Sequence, residues 1–390
     1  MISITESSQC CGCTACQSIC VHGAITMISD KEGFNYPFVD KLKCVECRLC
    51  EKVCPILYRT DNILYPNQKA LYAARLKDVK ALIDSSSGGM FYALAYLTIS
   101  RGGIVCGVEY SSTMEVRHAF AETMKDCKKF QGSKYVQSNM EGIYFRIKSY
   151  LKEGRYVLFT GTPCQVEGLN LFLRKSYDNL LTVDLVCHAV PSPKLFQDYV
   201  SMINRKMNSK LISISMRYKR TRGWGRRYSY CFFFNDGRSV CDPINISNWG
   251  KLFFSQLINR PSCHDCKFTN LERPGDFTIA DFWDDANKRP ELHSNTGTSL
   301  FLVNSGKGLR LLDILKRYVD LWPITQQEAM QPCLECPTKV SPKREHFWRD
   351  YELFGFRYVY WKYFTDSYYI YIKKHIKKML LGLRVWKTHL

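Results

Sequence analysis

Two runs of cysteine near the amino end constrain this chain more than any other feature. Cys10, Cys13, Cys16 and Cys20 follow C-x2-C-x2-C-x3-C, and Cys44, Cys47, Cys50 and Cys54 repeat it, with Pro55 behind the last. That spacing folds four thiolates around a cubane, so its duplication predicts two [4Fe–4S] clusters. Such clusters move single electrons, and the chain reads as part of a redox machine.

In two-cluster ferredoxins the fourth cysteine of each run reaches across to the other cluster. That assigns Cys10, Cys13, Cys16 and Cys54 to one cluster, and Cys44, Cys47, Cys50 and Cys20 to the other. Val21 stands where a proline usually follows, and Cys11 fits neither cage. Paired C-x-x-C motifs also bind zinc, but two complete sets at ferredoxin spacing favour the clusters. Met1–Gln9 has neither a basic start nor an apolar stretch. The nineteen cysteines are therefore expected to serve as metal ligands in a reducing cytoplasm rather than as a disulfide framework.

At 390 residues, with 46% hydrophobic residues, the chain can bury a sizeable core beyond one ordinary domain. No apolar run approaches the ~18 residues that cross a bilayer. The formal net charge is +19, which demands an acidic partner or surface. Arg205–Arg227 is one basic stretch free of acids, and the chain after Asp366 is another. No nucleic-acid module accompanies them, so nucleic acid is disfavoured; an anionic substrate, an acidic electron donor or a phospholipid surface suits them better. In the tail, Ile372, Ile376, Met379, Leu380 and Leu383 recur at helical spacing between lysines. This is either a basic amphipathic helix lying on anionic membrane, at the inner face, or a terminal helix packed on its own domain.

Residues 1–60 form the cluster module, 61–69 read as a linker, and from Ala70 strands and helices alternate. Expected strands include Ala70–Leu76, Ile104–Glu109, Arg117–Glu122, Tyr156–Thr160, Leu180–Val186 and Ser299–Asn304, with helices at Met90–Ser100, Met140–Glu153 and Pro193–Arg205. After Leu211 further short strands are expected. Ser86, Ser87, Gly88 and Gly89 precede a helix and read as either a phosphate cradle or simple capping. The fold class is thus an α+β ferredoxin-like module followed by an α/β body with added strands.

Cys164 and Cys187 follow strands, and Cys263 and Cys266 form a C-x-x-C pair. Gathered together they would ligate a third [4Fe–4S] cluster; alternatively the first two are buried core thiols. At these residues the chain resembles the coenzyme F420 hydrogenase/dehydrogenase beta-subunit family. The resemblance rests on Ser86–Gly89, Gly132–Gln137, Gly161-Thr162-Pro163-Cys164-Gln165, Cys187-His188, Pro191-Ser192-Pro193, the Cys263/Cys266 pair and Gly275-Asp276 through Trp283. It divides the chain into residues 70–175 (an amino-terminal-like α/β region), 176–350 (a carboxyl-terminal-like region) and a tail, 351–390.

The resemblance implies an FAD-binding body fed by clusters, with Cys164, Cys187, Cys263 and Cys266 as inner-cluster ligands. Flavin contacts would fall on Ser86, Ser87, Gly88, Gly89, Lys134, Tyr135, Gln137, Thr160, Gly161 and Thr162. The function so implied is an iron–sulfur flavoprotein oxidoreductase. It would take electrons from ferredoxin or a similar donor and deliver them to an organic acceptor, in surface-polysaccharide synthesis for similar bacterial members. The competing reading is a non-catalytic electron-transfer subunit of a larger hydrogenase or dehydrogenase. His188 reads as structural, Asp276 and Asp281 either bind substrate or turn backbone, and Cys333 and Cys336 have no assigned role.

Overall fold

The structure, a computed structural model, describes residues 1–58, 70–225, 229–243, 246–283 and 285–364. The expected linker and the amphipathic stretch of the tail lie outside these residues.

The amino-terminal module carries a hairpin that the cysteine spacing does not announce: β1 (Ile25–Ser29) pairs antiparallel with β2 (Asn35–Val39). The body then begins with β3 (Ala70–Leu76), β4 (Ile104–Tyr110), β5 (Val116–Ala121), β6 (Val157–Gly161) and β7 (Leu180–Leu185). β8 (Leu211–Ser215), β9 (Cys231–Phe234) and β10 (Ser239–Cys241) form a separate three-stranded sheet. The chain returns with β11 (Phe277–Asp281), β12 (Ser299–Val303) and β13 (Val319–Pro323).

Eight strands make one sheet in the order β13-β3-β12-β11-β7-β6-β4-β5. Its centre, β4-β6-β7-β11, is parallel, and its flanks are antiparallel. The central strands read as unbroken apolar runs because both faces are covered; every residue of β6 is buried. The sheet draws strands from both sides of residue 175, so that expected boundary divides one sheet rather than two folding units.

One face of the sheet is covered by the helices Met90–Ile99 and Gly306–Leu315. The other is covered by Ile143–Lys152 and Pro163–Leu173, and here the amino-terminal module docks through Cys11, Cys13, Ala15 and Val53. Gly168 makes that contact possible. A Cβ there would stand 3.0 Å from Cys13 Sγ and 2.9 Å from the Tyr144 hydroxyl.

A third core joins β8–β10 to the helices Pro193–Met207 and Arg344–Phe364. The latter runs across residue 350, where the tail was expected to begin, and bends at Gly355 (φ 75°). Cys231 and Cys241 face each other in the β9–β10 register and are joined as a disulfide, a pairing that the expectation of metal-ligating thiols did not foresee.

Candidate metal centres

Both cysteine runs curl by the same backbone device. Gly12 and Thr14 in the first run, and Glu46 and Arg48 in the second, all adopt positive φ, two and four residues after Cys10 and Cys44. Left-handed backbone costs about 1–2 kcal/mol for a non-glycine residue. Its repetition at equivalent positions marks two loops wound for one purpose: sulfurs turned inward with amides behind them.

The sulfurs then sort into two groups. Cys10, Cys13, Cys16 and Cys54 line one open pocket with Cys11, Ile2, Ile4 and Met27. Cys20, Cys44, Cys47 and Cys50 line another with Ile19, Ile25 and Val39. Each crossed set lines its own pocket, and Cys11, which the spacing assigns to neither, lines the first as well. Backbone N–H groups aim at the thiols: Ile2 at Cys50 Sγ (3.2 Å), Gly12 at Cys10 Sγ (3.4 Å) and Ala24 at Cys20 Sγ (3.3 Å). The Thr14 hydroxyl, lining the first pocket, is buried without a hydrogen-bond partner among the described residues.

Burial, then the neighbouring Cys10 and Cys54 thiols, push the Cys16 pKa up; burial also raises Cys54. Ligation by iron needs thiolates, so cluster binding would displace protons that burial otherwise keeps on these sulfurs. The residues present therefore fit cubanes. Among the described residues, no three His, Cys, Asp or Glu side chains form a group that could hold a single metal ion.

The body gathers its own sulfurs. Thr162-Pro163-Cys164-Gln165 is a capping box, in which the Gln165 side chain accepts the Thr162 N–H at 2.9 Å, so Cys164 stands in the first turn of its helix. The positive end of that helix favours a thiolate. Cys187 follows β7, and Cys263 lies in the turn Pro261–Asp265 just before Cys266. Burial raises the Cys187 pKa first, and the Cys263, Cys164 and Cys266 thiols add to it. Cys263 is pushed up to about 12 by burial. Cys263, Cys164 and Cys266 are thus within electrostatic reach of Cys187.

Cys11 connects the two regions. Its thiol interacts electrostatically with both Cys13 and Cys164, and together with burial it raises the Cys164 pKa. Cys333 borders the body group: burial lifts it to about 11, its Sγ is 3.4 Å from His188 Nδ1, and Cys336 and Cys266 are close. His188 Nε2 meets Gln256 at 2.8 Å and the ring lies edge-on to Phe253, a structural placement.

The ten expected flavin positions fall in two places. Ser86 accepts from the Ser133 amide (2.8 Å) and lies 2.9 Å from its hydroxyl, so loops 85–89 and 131–135 meet. Their donors serve the protein. Ser87 donates to Thr298 O, and the Gly88 amide donates to Ser299 Oγ. A Cβ at Gly88 would stand 2.2 Å from Ala74 O and one at Gly89 2.8 Å from Leu76 Cβ, so these glycines answer to packing against β3. Lys134 Nζ donates to the carbonyls of Lys129, Gln131 and Gly132, and burial lowers its pKa to about 7. Tyr135 stacks on Phe253 at 5.0 Å.

Gln137, Thr160, Gly161 and Thr162 lie instead toward the cysteines. Gln137 Nε2 donates to Cys11 O (3.1 Å), Thr160 Oγ1 donates to Cys106 O, and Thr162 Oγ1 is 3.2 Å from Cys164 Sγ. As folded, these side chains do not converge on one phosphate-binding cradle. Asp276 and Asp281 are also engaged. The first accepts from Thr182 and Ser305; the second pairs with Arg217 (3.0 Å) and accepts from Trp224 Nε1.

Residues 9–56 match the family model described as a 4Fe-4S dicluster domain. Residues 154–327 match the model for the carboxyl terminus of the coenzyme F420 hydrogenase/dehydrogenase beta subunit. The chain matches the F420 hydrogenase/dehydrogenase beta-subunit family, with a ferredoxin-type module in front. It is an iron–sulfur electron-transfer protein related to that beta subunit. Among solved structures, the F420-reducing [NiFe] hydrogenase complex from Methanosarcina barkeri includes a similar chain, 18% identical, with 73% of this chain and 87% of that one covered at a TM-score of 0.44. No curated protein matches. Among the described residues no helix is long and apolar enough to cross a membrane.

Missed by sequence reasoning were Arg260, Gln137 as a cluster-side residue, and His118. A lone arginine three residues before Cys263 was the only available signal for the first.

Proposed function

We propose that the chain is the electron-relay subunit of a larger hydrogenase- or dehydrogenase-type complex. It would carry one [4Fe–4S] cluster on Cys10, Cys13, Cys16 and Cys54, a second on Cys20, Cys44, Cys47 and Cys50, and a third on Cys164, Cys187, Cys263 and Cys266. The observation that supports this reading is that the thiols lie within electrostatic reach of one another. The series starts at exposed Cys47, which shares a pocket with Cys50, continues to Cys54 and Cys16, and runs from Cys13 through Cys11 to Cys164 in the helix after β6. Bound clusters would supply one-electron chemistry. The chain's own part is to hold them, bury them and aim amides at their sulfurs.

The outer end suits a redox partner protein. Leu42 is 98% exposed and Val45 and Val21 are exposed too, and the exposed charges of residues 41–52 are Lys41, Lys43, Arg48 and Lys52 against Glu46. Exposed apolar side chains with a net basic set of charges fit an acidic donor.

Anaerobic reconstitution followed by iron and sulfide counting tests the ligand sets. About twelve irons per chain are expected; Cys164→Ala should remove about four and leave the amino-terminal eight. A count of eight in the unaltered protein would remove the third cluster.

A second reading is supported by the meeting of loops 85–89 and 131–135 at Ser86 and Ser133. It is an FAD-dependent oxidoreductase acting on an organic acceptor in surface-polysaccharide synthesis, its basic tail on anionic membrane. Denatured protein would then release FAD, and the chain alone would reduce an acceptor with dithionite. Flavin-free protein that passes electrons only to a partner protein favours the first reading.

A further inference from the structure

Arg260 is among the largest side chains buried completely. Its guanidinium donates from Nε to Cys10 O (2.7 Å), from Nη1 to Gln137 Oε1 (2.9 Å) and from Nη2 to Asn35 O (2.9 Å). Every one of these acceptors is neutral. Other deeply set guanidiniums meet carboxylates: Arg273 on Asp184, Arg217 on Asp281 and Arg344 on Glu32. Arg260 meets none among the described residues. Buried charges need a partner, and arginine does not escape by losing its proton. The rings of Tyr36 (4.5 Å) and Phe34 (5.3 Å) give it π faces but no charge.

Its electrostatic partners are Cys10 first, then the Tyr36 hydroxyl, then Cys11 of the amino-terminal module and Cys263 of the body. The loop carrying Cys10 and Cys11 is shaped to admit it. Gly12 holds φ +70°, and a Cβ there would lie 2.7 Å from Arg260 Nη1 and 2.6 Å from Gln137 Nε2. The Tyr36 hydroxyl is buried without a hydrogen-bond partner among the described residues.

We propose that Arg260 is the shared counter-cation of two iron–sulfur clusters, one on Cys10, Cys13, Cys16 and Cys54 and the other on Cys164, Cys187, Cys263 and Cys266, and that it sets their reduction potentials. The proposal rests on the ligand sets given above. A cubane held by four thiolates is an anion, and each electron taken from the donor adds one negative charge. A fixed cation beside both sites therefore favours the reduced form, and it compensates the sulfur charge that would otherwise face it unmatched.

The test uses the full chain, reconstituted without oxygen, as Arg260→Gln and Arg260→Lys. Redox titration is followed by electron paramagnetic resonance and iron is counted in parallel. In Arg260→Gln both clusters should hold the electron at least about tenfold less tightly, a shift of about 59 mV to lower potential for one electron. Arg260→Lys should recover most of it. Unchanged potentials in Arg260→Gln overturn the proposal. So does an equal shift in both variants, because the hydrogen bonds to Cys10 and Asn35 would then matter and the charge would not. If Arg260→Gln fails to load iron while Arg260→Lys loads it, the requirement for a cation is upheld; equal iron loss in both overturns it. Unaltered protein with only eight irons is a distinct result: the third-cluster reading fails and the shared role falls with it, while the shift at the remaining cluster is still measurable.

Discussion

The ring of His118 is fixed between two different partners. Thr160 O, 3.0 Å from Nε2, can only accept, so Nε2 carries the hydrogen and Nδ1 accepts from the Ser138 hydroxyl at 3.0 Å. Gln165 Nε2 donates to the same Ser138 oxygen, closing a line from the helix that presents Cys164 back to β6. Burial lowers the His118 pKa to about 4. An unfolded histidine, near 6.5, takes up a proton that the folded one refuses. The resulting stability is complete above about pH 6.5 and is lost as pH falls toward 4, amounting to ~3 kcal/mol at most. Urea melts at pH 7 and pH 5 check this: His118→Gln should lose less stability across that interval than the unaltered chain. Equal losses would show that the ring does not titrate between the two states.

At the scale of elements, the helix Arg344–Phe364 contributes more than its pattern suggests. Phe347, Trp348, Phe356, Val359 and Phe364 enter the core shared with Pro193–Met207, and Trp348 Nε1 donates to Leu257 O at 3.0 Å. Arg344 reaches both Glu32 of the amino-terminal module and Asn259 O, next to Arg260. Trp348→Ala should cost about 3–5 kcal/mol, measured by denaturant titration; a loss below about 1 kcal/mol would mean that the helix only decorates the surface. This helix was not legible in the sequence, because its aromatic residues are spread around its whole circumference and no face stands out. β13 was hidden similarly: it lies on the sheet edge, alternates weakly and ends at Pro323. By contrast, Ala70–Leu76, Val157–Gly161, Leu180–Leu185 and Ser299–Val303 were readable as compact apolar runs, and the places of Cys164 and Cys187 followed from the second and third. The spacing pointed to the two cysteine sets that line the two pockets. It could not show Arg260, since one cation in a chain of net charge +19 has no signature until its burial is seen.

At the scale of the whole molecule, thiols reach the surface at two places among the described residues, at Cys47 of the amino-terminal module and at Cys336 beside the body group. Leu42→Asp combined with Val45→Asp should slow reduction by an acidic redox protein about tenfold or more, while reduction by dithionite stays unchanged. The protein-driven rate should also fall as salt is raised. Equal rates for mutant and unaltered chain would move the entry point elsewhere. The order of strands has a consequence for how this molecule is made. β3 is synthesised early, yet both its neighbours, β12 and β13, come near the close of the body. Until the ribosome has passed position 323, that strand has two bare edges and the sheet cannot be sealed. The cysteine-rich front packs on that same body, so its docking surface is completed late as well. A nascent chain stalled in the interval is the form most exposed to aggregation.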